Sequence, residues 1–185
     1  MNAADIVLIL ILAGAFLIGF FQGVVKSALN VFAWGIAFAL AANLRDPIGN
    51  YLAGEWTSLD PEFDHMIAFG ASAVVILLLL MIVVQLGTHG PSAATRYPLL
   101  DDLLGGALGV FVAILIVASA VIVLESYYMT PSGLGTRLAT PQWTQDLYSG
   151  LTTSRIATSI SDNLLPILGT IFGGIVPDVI RKVMV

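Results

Sequence analysis

Apolar residues in this chain come in long unbroken blocks. A helix needs about 20 mostly apolar residues to cross roughly 30 Å of hydrocarbon. Four blocks reach or approach that length: residues 6–25, 28–44, 66–86 and 103–124. The pattern predicts an all-α fold, an integral membrane bundle of four transmembrane helices over residues 1–125, with a linker and amphipathic helical tail over 126–185. Between the first two blocks stand only Lys26 and Ser27, preceded by Gln22 and Gly23. A tight helical hairpin broken at Gly23 fits this spacing; one long kinked helix is the alternative. The chain starts Met1-Asn2-Ala3-Ala4-Asp5, without the basic region of a cleaved signal peptide, so the first block reads as a retained span.

Helix boundaries are marked by their own chemistry. Asp60-Pro61-Glu62 has an N-cap, a first-turn proline and an acid near the positive end of a helix. Asp46-Pro47 and Thr140-Pro141 have the same form and predict helix starts. Thr88-His89-Gly90-Pro91 stops the third block, and Arg96-Tyr97-Pro98 precedes the fourth. Residues 126–155 are rich in Ser, Thr, Gly and Pro. Beyond them Ile156, Ile160, Leu164, Leu168, Ile171, Ile175, Val179 and Val183 recur at helical steps of three or four. Pro166 and Pro177 are expected to break or kink this run, giving two or three short amphipathic helices that lie on the membrane or pack on the bundle. Asp178 and the prolines count against a fifth span over residues 164–180.

Composition strengthens the membrane reading. The chain is 58% hydrophobic and 10% charged, whereas soluble domains are roughly 45–50% apolar and about 25% charged. Seven basic residues and a net charge of −5 supply no surface for nucleic acid phosphates. The absence of cysteine excludes disulfides, thiolate metal sites and cysteine nucleophiles. No G-x-S-x-G elbow, P-loop or dinucleotide fingerprint occurs. The two histidines, His65 and His89, fall at loop or boundary positions, and the acids Asp60, Glu62 and Asp64 are dispersed around a helix start. The reading is therefore of a non-enzyme with no cofactor, no metal and no catalytic residue. Lys and Arg in short loops set orientation, but here they divide evenly between the two sides. Only the acidic loop between the second and third blocks hints that both termini are non-cytoplasmic.

Small residues four apart let membrane helices approach closely. Gly19 and Gly23, Ala33, Ala37 and Ala41, and Gly105 and Gly109 are such sets, and they are the candidate helix-packing residues. Asp5, Lys26 and Asp101 are the candidate functional polar residues. Ionisable groups in or beside a span are functional candidates, although an acid in a first turn also caps its helix and complements its dipole. Asp102 and Glu125 read as interfacial, and Tyr127-Tyr128 as a marker of the membrane exit.

Two stretches together carry a resemblance. Asp5 opens a span ending Gly19-Phe20-Phe21-Gln22-Gly23-Val24-Val25-Lys26, and Leu100-Asp101-Asp102-Leu103-Leu104-Gly105-Gly106-Ala107-Leu108-Gly109 enters the last span. Over about residues 1–125 the chain resembles the colicin V production protein family of bacterial inner-membrane proteins. It departs from that pattern at Gln22, Ser27, Asp102 and Val112-Ala113, where the family often has charged residues or an Arg-Gly pair. The resemblance implies a multi-pass protein of the bacterial inner membrane that supports bacteriocin production, export or envelope homeostasis, without an established chemical activity. Its expected partners are the lipid bilayer and either a second copy or other envelope membrane proteins. An oligomeric channel or transporter subunit and a membrane anchor for a separate envelope enzyme are the alternatives.

Overall fold

The computed structural model describes residues 2–56, 60–88, 98–128 and 141–184. These form six helices: α1 (Ala3–Glu55), α2 (Pro61–Gly87), α3 (Pro98–Tyr128), α4 (Gln142–Thr152), α5 (Arg155–Phe172) and α6 (Asp178–Val183). The fold is all-α among the described residues. By length and composition α1, α2 and α3 can each cross a membrane. His89, Arg96 and residues 129–140 of the expected linker lie outside the described residues.

Helix α1 is interrupted at Gly23, whose φ of 77° and ψ of 172° are not helical. The chain reverses direction at this point. Leu8, in the limb of residues 3–22, packs on Val117 of α3. Trp34, in the limb of residues 24–55, donates its indole N–H to Ser119 Oγ at 3.0 Å, only two residues further along α3. In a straight helix residues 8 and 34 would be about 39 Å apart. The Ser27 hydroxyl also returns to the Gly19 carbonyl at 3.4 Å, eight residues back. The first limb therefore runs antiparallel to α3, and the second limb runs parallel to it.

The second limb is longer than the apolar block suggests. The expected helix start at Asp46-Pro47 does not occur, and the helix continues through Pro47 to Glu55. Proline removes one backbone hydrogen bond, but the face on either side of it is gripped. Ala41, Ala42, Arg45 and Gly49 are buried. A Cβ at Gly49 would stand 2.9 Å from His65 Cα. Tertiary packing thus holds the helix where local sequence would end it. Helix α2 starts as expected, with Asp60 accepting from the Glu62 amide at 3.0 Å and Pro61 in the first turn. It runs antiparallel to the second limb: His65 lies against Gly49, and the rings of Phe69 and Phe38 are 5.9 Å apart. It meets α3 near its own start, where Phe63 faces Tyr127.

The chain after α3 folds back against the flank of this assembly, from the start of α1 to the level of Trp34. Residues 142–152 are helical as α4, which begins directly after Pro141, where a helix start is expected. The Tyr148 ring stacks on Tyr128 at 4.3 Å. Tyr127 and Tyr128 are thereby buried inside the protein. Of the two outcomes expected at Pro166, a break or a kink, the break does not occur: helix α5 continues through it. Its Ala157 packs with Leu8 and Val117, Leu165 and Leu168 join the core of Trp34, Phe38, Leu115, Ala118 and Ile122, and the Phe172 ring meets Trp34 and Phe38. From residue 157 to 172 is about 22 Å of helix, yet the α3 residues involved span only about 10 Å. So α5 lies across the bundle and not along it. The buried stripe then changes phase. Ile171, Ile175 and Val179 are exposed, and Val176, Ile180 and Met184 are buried. The break at Gly173–Pro177 resets the helical register, and α6 folds back so that Gly169 lies against Met184.

The absence of native cysteine makes the reversal at Gly23 directly testable. Leu8→Cys with Val117→Cys, and separately Trp34→Cys with Ser119→Cys, are each expected to cross-link with short reagents. A gel shift for only one of the pairs would mean that α1 does not double back.

Candidate functional site

The Gly23 turn is built by α3. At the break the limb that begins at Val24 has a free N-terminus, whose backbone N–H groups lack intrahelical partners. Asp101 is buried in the first turn of α3, and its Oδ1 accepts from the Val24 amide at 3.2 Å. A carboxylate here satisfies the donor and complements the positive helix end. It caps a helix to which it is not joined in sequence. Space for it exists because residue 23 has no side chain: a Cβ there would lie 2.5 Å from Asp101 Oδ2.

Below the turn the backbones touch. A Cβ on Gly19 would fall 2.9 Å from Gly109 Cα and inside contact with the Gly105 carbonyl. One on Gly105 would lie 2.7 Å from the Gly23 carbonyl carbon, and one on Gly109 3.0 Å from Gly19 Cα. The two Gly-x-x-x-Gly pairs, from separate regions of sequence, are thus brought against each other. Sequence spacing did not single out Gly106, where a Cβ would strike the Phe16 ring at 2.6 Å. Its signal is Phe16 itself, an aromatic that needs a recess opposite.

Asp5 does the corresponding work at the other end. It closes a capping box with Asn2 at the start of α1, accepting from the Asn2 amide at 2.8 Å. Its Oδ1 also accepts from the Ser154 hydroxyl at 2.6 Å and from the Ile156 amide at 3.4 Å. Ser154 is itself the N-cap of α5, accepting from Ala157. Asn2 adds a bond to Thr153 Oγ1 at 2.8 Å. One buried carboxylate therefore serves two helix N-termini, from opposite ends of the chain.

Among the remaining candidates, Ala33, Ala37 and Ala41 form a buried row continued by Arg45 and Gly49, the positions that meet Glu62 and His65 of α2. Lys26 is half-buried one turn after the break, with no hydrogen bond or ion pair among the described residues. Two groups do not stand out in the sequence as site residues. Arg45 is buried, bound to Asp46 at 2.7 Å and Glu62 at 3.2 Å, and so joins α1 to α2. Asp64 is fully buried, with both carboxylate oxygens lacking a hydrogen-bond partner. Its signal is the helical step from Asp64 to the buried Ala68. Among the described residues no three His, Asp or Glu side chains are placed to hold a metal ion.

Gly19→Ala and Gly105→Ala are each expected to cost about 1–3 kcal/mol by overpacking. Gly14→Ala, where a Cβ meets nothing within 4 Å, should be neutral. Asp101→Ala should cost about 1 kcal/mol as a lost cap, and Asp101→Asn less, because its amide oxygen still accepts. Reversible unfolding in mixed detergent micelles reads all five.

Neither the curated proteins nor the solved structures compared with the chain give a match. The family model described as colicin V production protein matches residues 4–163, which include both limbs of α1, Asp101 with its glycines, and the α5 cap at Ser154. The chain belongs to the colicin V production protein family.

Proposed function

We propose that the protein is a non-enzymatic scaffold of the bacterial inner membrane that supports toxin production and export or envelope homeostasis by docking partners on its helical cap. In this reading it crosses the membrane four times. Each limb of α1 makes one crossing, since about 20 residues span roughly 30 Å, and α2 and α3 make the others. Both termini then lie on one side, the non-cytoplasmic one. The observation that carries the proposal is the Asp5 carboxylate holding the start of α5 to the start of α1. That contact anchors the start of α5, from which α5 and α6 pack against the flank of the bundle. The outward face of α5 presents Arg155, Thr158, Ser159, Asp162 and Asn163, all exposed, as a polar surface for another protein. Membership in a family named for colicin V production supports the setting.

Asp5→Ala should loosen the cap without unfolding the bundle. Hydrogen exchange at residues 154–160 is expected to quicken, while that at residues 105–115 stays slow. For the docking role, Asp162→Arg combined with Asn163→Arg should abolish rescue of bacteriocin secretion in cells lacking the protein, at unchanged membrane levels. Full rescue by this variant would remove the docking reading. Orientation is read separately, by impermeant maleimide on whole cells: Asn163→Cys is expected to label and Leu99→Cys to stay protected.

A further inference from the structure

The groove beside the Gly23 turn has the polarity profile of a phospholipid. It is a cleft of about 330 Å³, within the size of ligand sites, roughly 300–1,000 Å³. Its upper part is lined by Gln22, Ser27 and Asn30. Its lower part is lined by Ile11, Ile18, Met81 and Ile116. Ile11 and Ile18 are themselves about half exposed, at 47% and 60%, so the cleft opens toward the surrounding lipid. From Gln22 to Ile11 is about 16 Å of helix, half the depth of a roughly 30 Å hydrocarbon core.

The polar end is incompletely satisfied. Asn30 donates to Gln22 Oε1 at 2.9 Å, but its own amide oxygen is enclosed and has no partner. An unpaired amide facing hydrocarbon is costly. Lys26 stands one helical turn nearer the Gly23 turn, on the same face as Asn30. Its ammonium has no ion pair among the described residues. The nearest buried carboxylate, Asp101, is engaged with Val24. Ascending the groove, a ligand meets aliphatic side chains, then amide and hydroxyl groups; Lys26 does not line the cleft but stands just beyond it, one turn from Asn30. A membrane phospholipid presents acyl chain, ester and glycerol, then phosphate, the same sequence of chemistries.

We propose that this groove is a specific site for one phospholipid, with its phosphate at Lys26, its glycerol-ester region at Asn30, Gln22 and Ser27, and one acyl chain along Ile18 and Ile11. The site rests on the Gly23 turn lying at the membrane boundary, as the four-crossing reading places it. Gly14 lines the lower groove and has open space around it. Gly14→Phe therefore fills the chain-binding part without displacing the bundle.

The test is native mass spectrometry of the detergent-solubilised protein titrated with phosphatidylglycerol, with thermal unfolding measured in parallel. The expected result is one saturable lipid adduct. Lys26→Ala combined with Asn30→Leu should weaken it about tenfold, the loss of roughly one charge-assisted contact. Gly14→Phe should abolish it at an unchanged melting temperature. Equal lipid retention by both variants overturns the site. So does a protein dimer that Gly14→Phe dissociates, since the groove would then hold a second copy. Maleimide labelling of Lys26→Cys reports the position of the turn independently, so an error in the crossing pattern is distinguishable from a failure of lipid binding.

Discussion

Two helix backbones reach van der Waals contact only where no side chain stands between them. Gly19, Gly23, Gly105 and Gly109 create that condition along one line of contact. In lipid the hydrophobic effect gives helices little reason to associate, because acyl chains are as apolar as leucine. Close packing has to supply the attraction, and it weakens steeply when atoms are forced apart. The first limb of α1 is pressed on α3 in this way, and that contact sets the position of everything downstream. The second limb returns from Gly23 at a point fixed by α3, α2 packs on the second limb, and the tail packs against the flank that these helices leave.

The same setting explains why the buried aspartates act between segments. A helix end packed against other helices needs donors and acceptors from elsewhere in the protein. Asp101 supplies an acceptor to Val24, and Asp5 supplies one to the start of α5. Each carboxylate lies within a first turn of its own helix, where the dipole favours its charge. Each then uses a remaining lone pair to hold a second helix start. Apolar contact alone would let the Gly23 turn and the tail slide; these bonds fix their register.

Much of this is legible from residue type and spacing. The glycine pairs, the hairpin at Gly23, the Asp60-Pro61 start and the helical tail come from local rules that tertiary structure does not override. Two kinds of feature escape such rules. Pro47 reads as a helix start and Pro166 as a break or kink, because the sequence does not reveal that the surrounding faces are gripped by Gly49, Leu165 and Leu168. The pairings of Asp5 with Ser154 and of Arg45 with Glu62 join residues 149 and 17 positions apart. Nothing in either local segment names its partner. Asp64 is hidden for a related reason: in sequence it is one acid among several near a helix start, and only burial separates it from Asp60 and Glu62.

Helix α2 is held differently from the others, and its residues explain the difference. It has no glycine pair aimed at α3; a Cβ at Gly70 would lie an ordinary 3.4 Å from Val123. Its firm contacts are to the second limb of α1, through Phe69, His65 and Glu62. Between α2 and α3 a cleft of about 320 Å³ remains, bordered by Gly70, Leu77 and Ile116 above Trp34. An indole N–H at such a place has no water to bond, and Ser119 supplies the acceptor. That bond ties the second limb directly to α3 where α2 does not bridge them. The bundle is therefore built on the pair α1 and α3, with α2 attached to the second limb of α1.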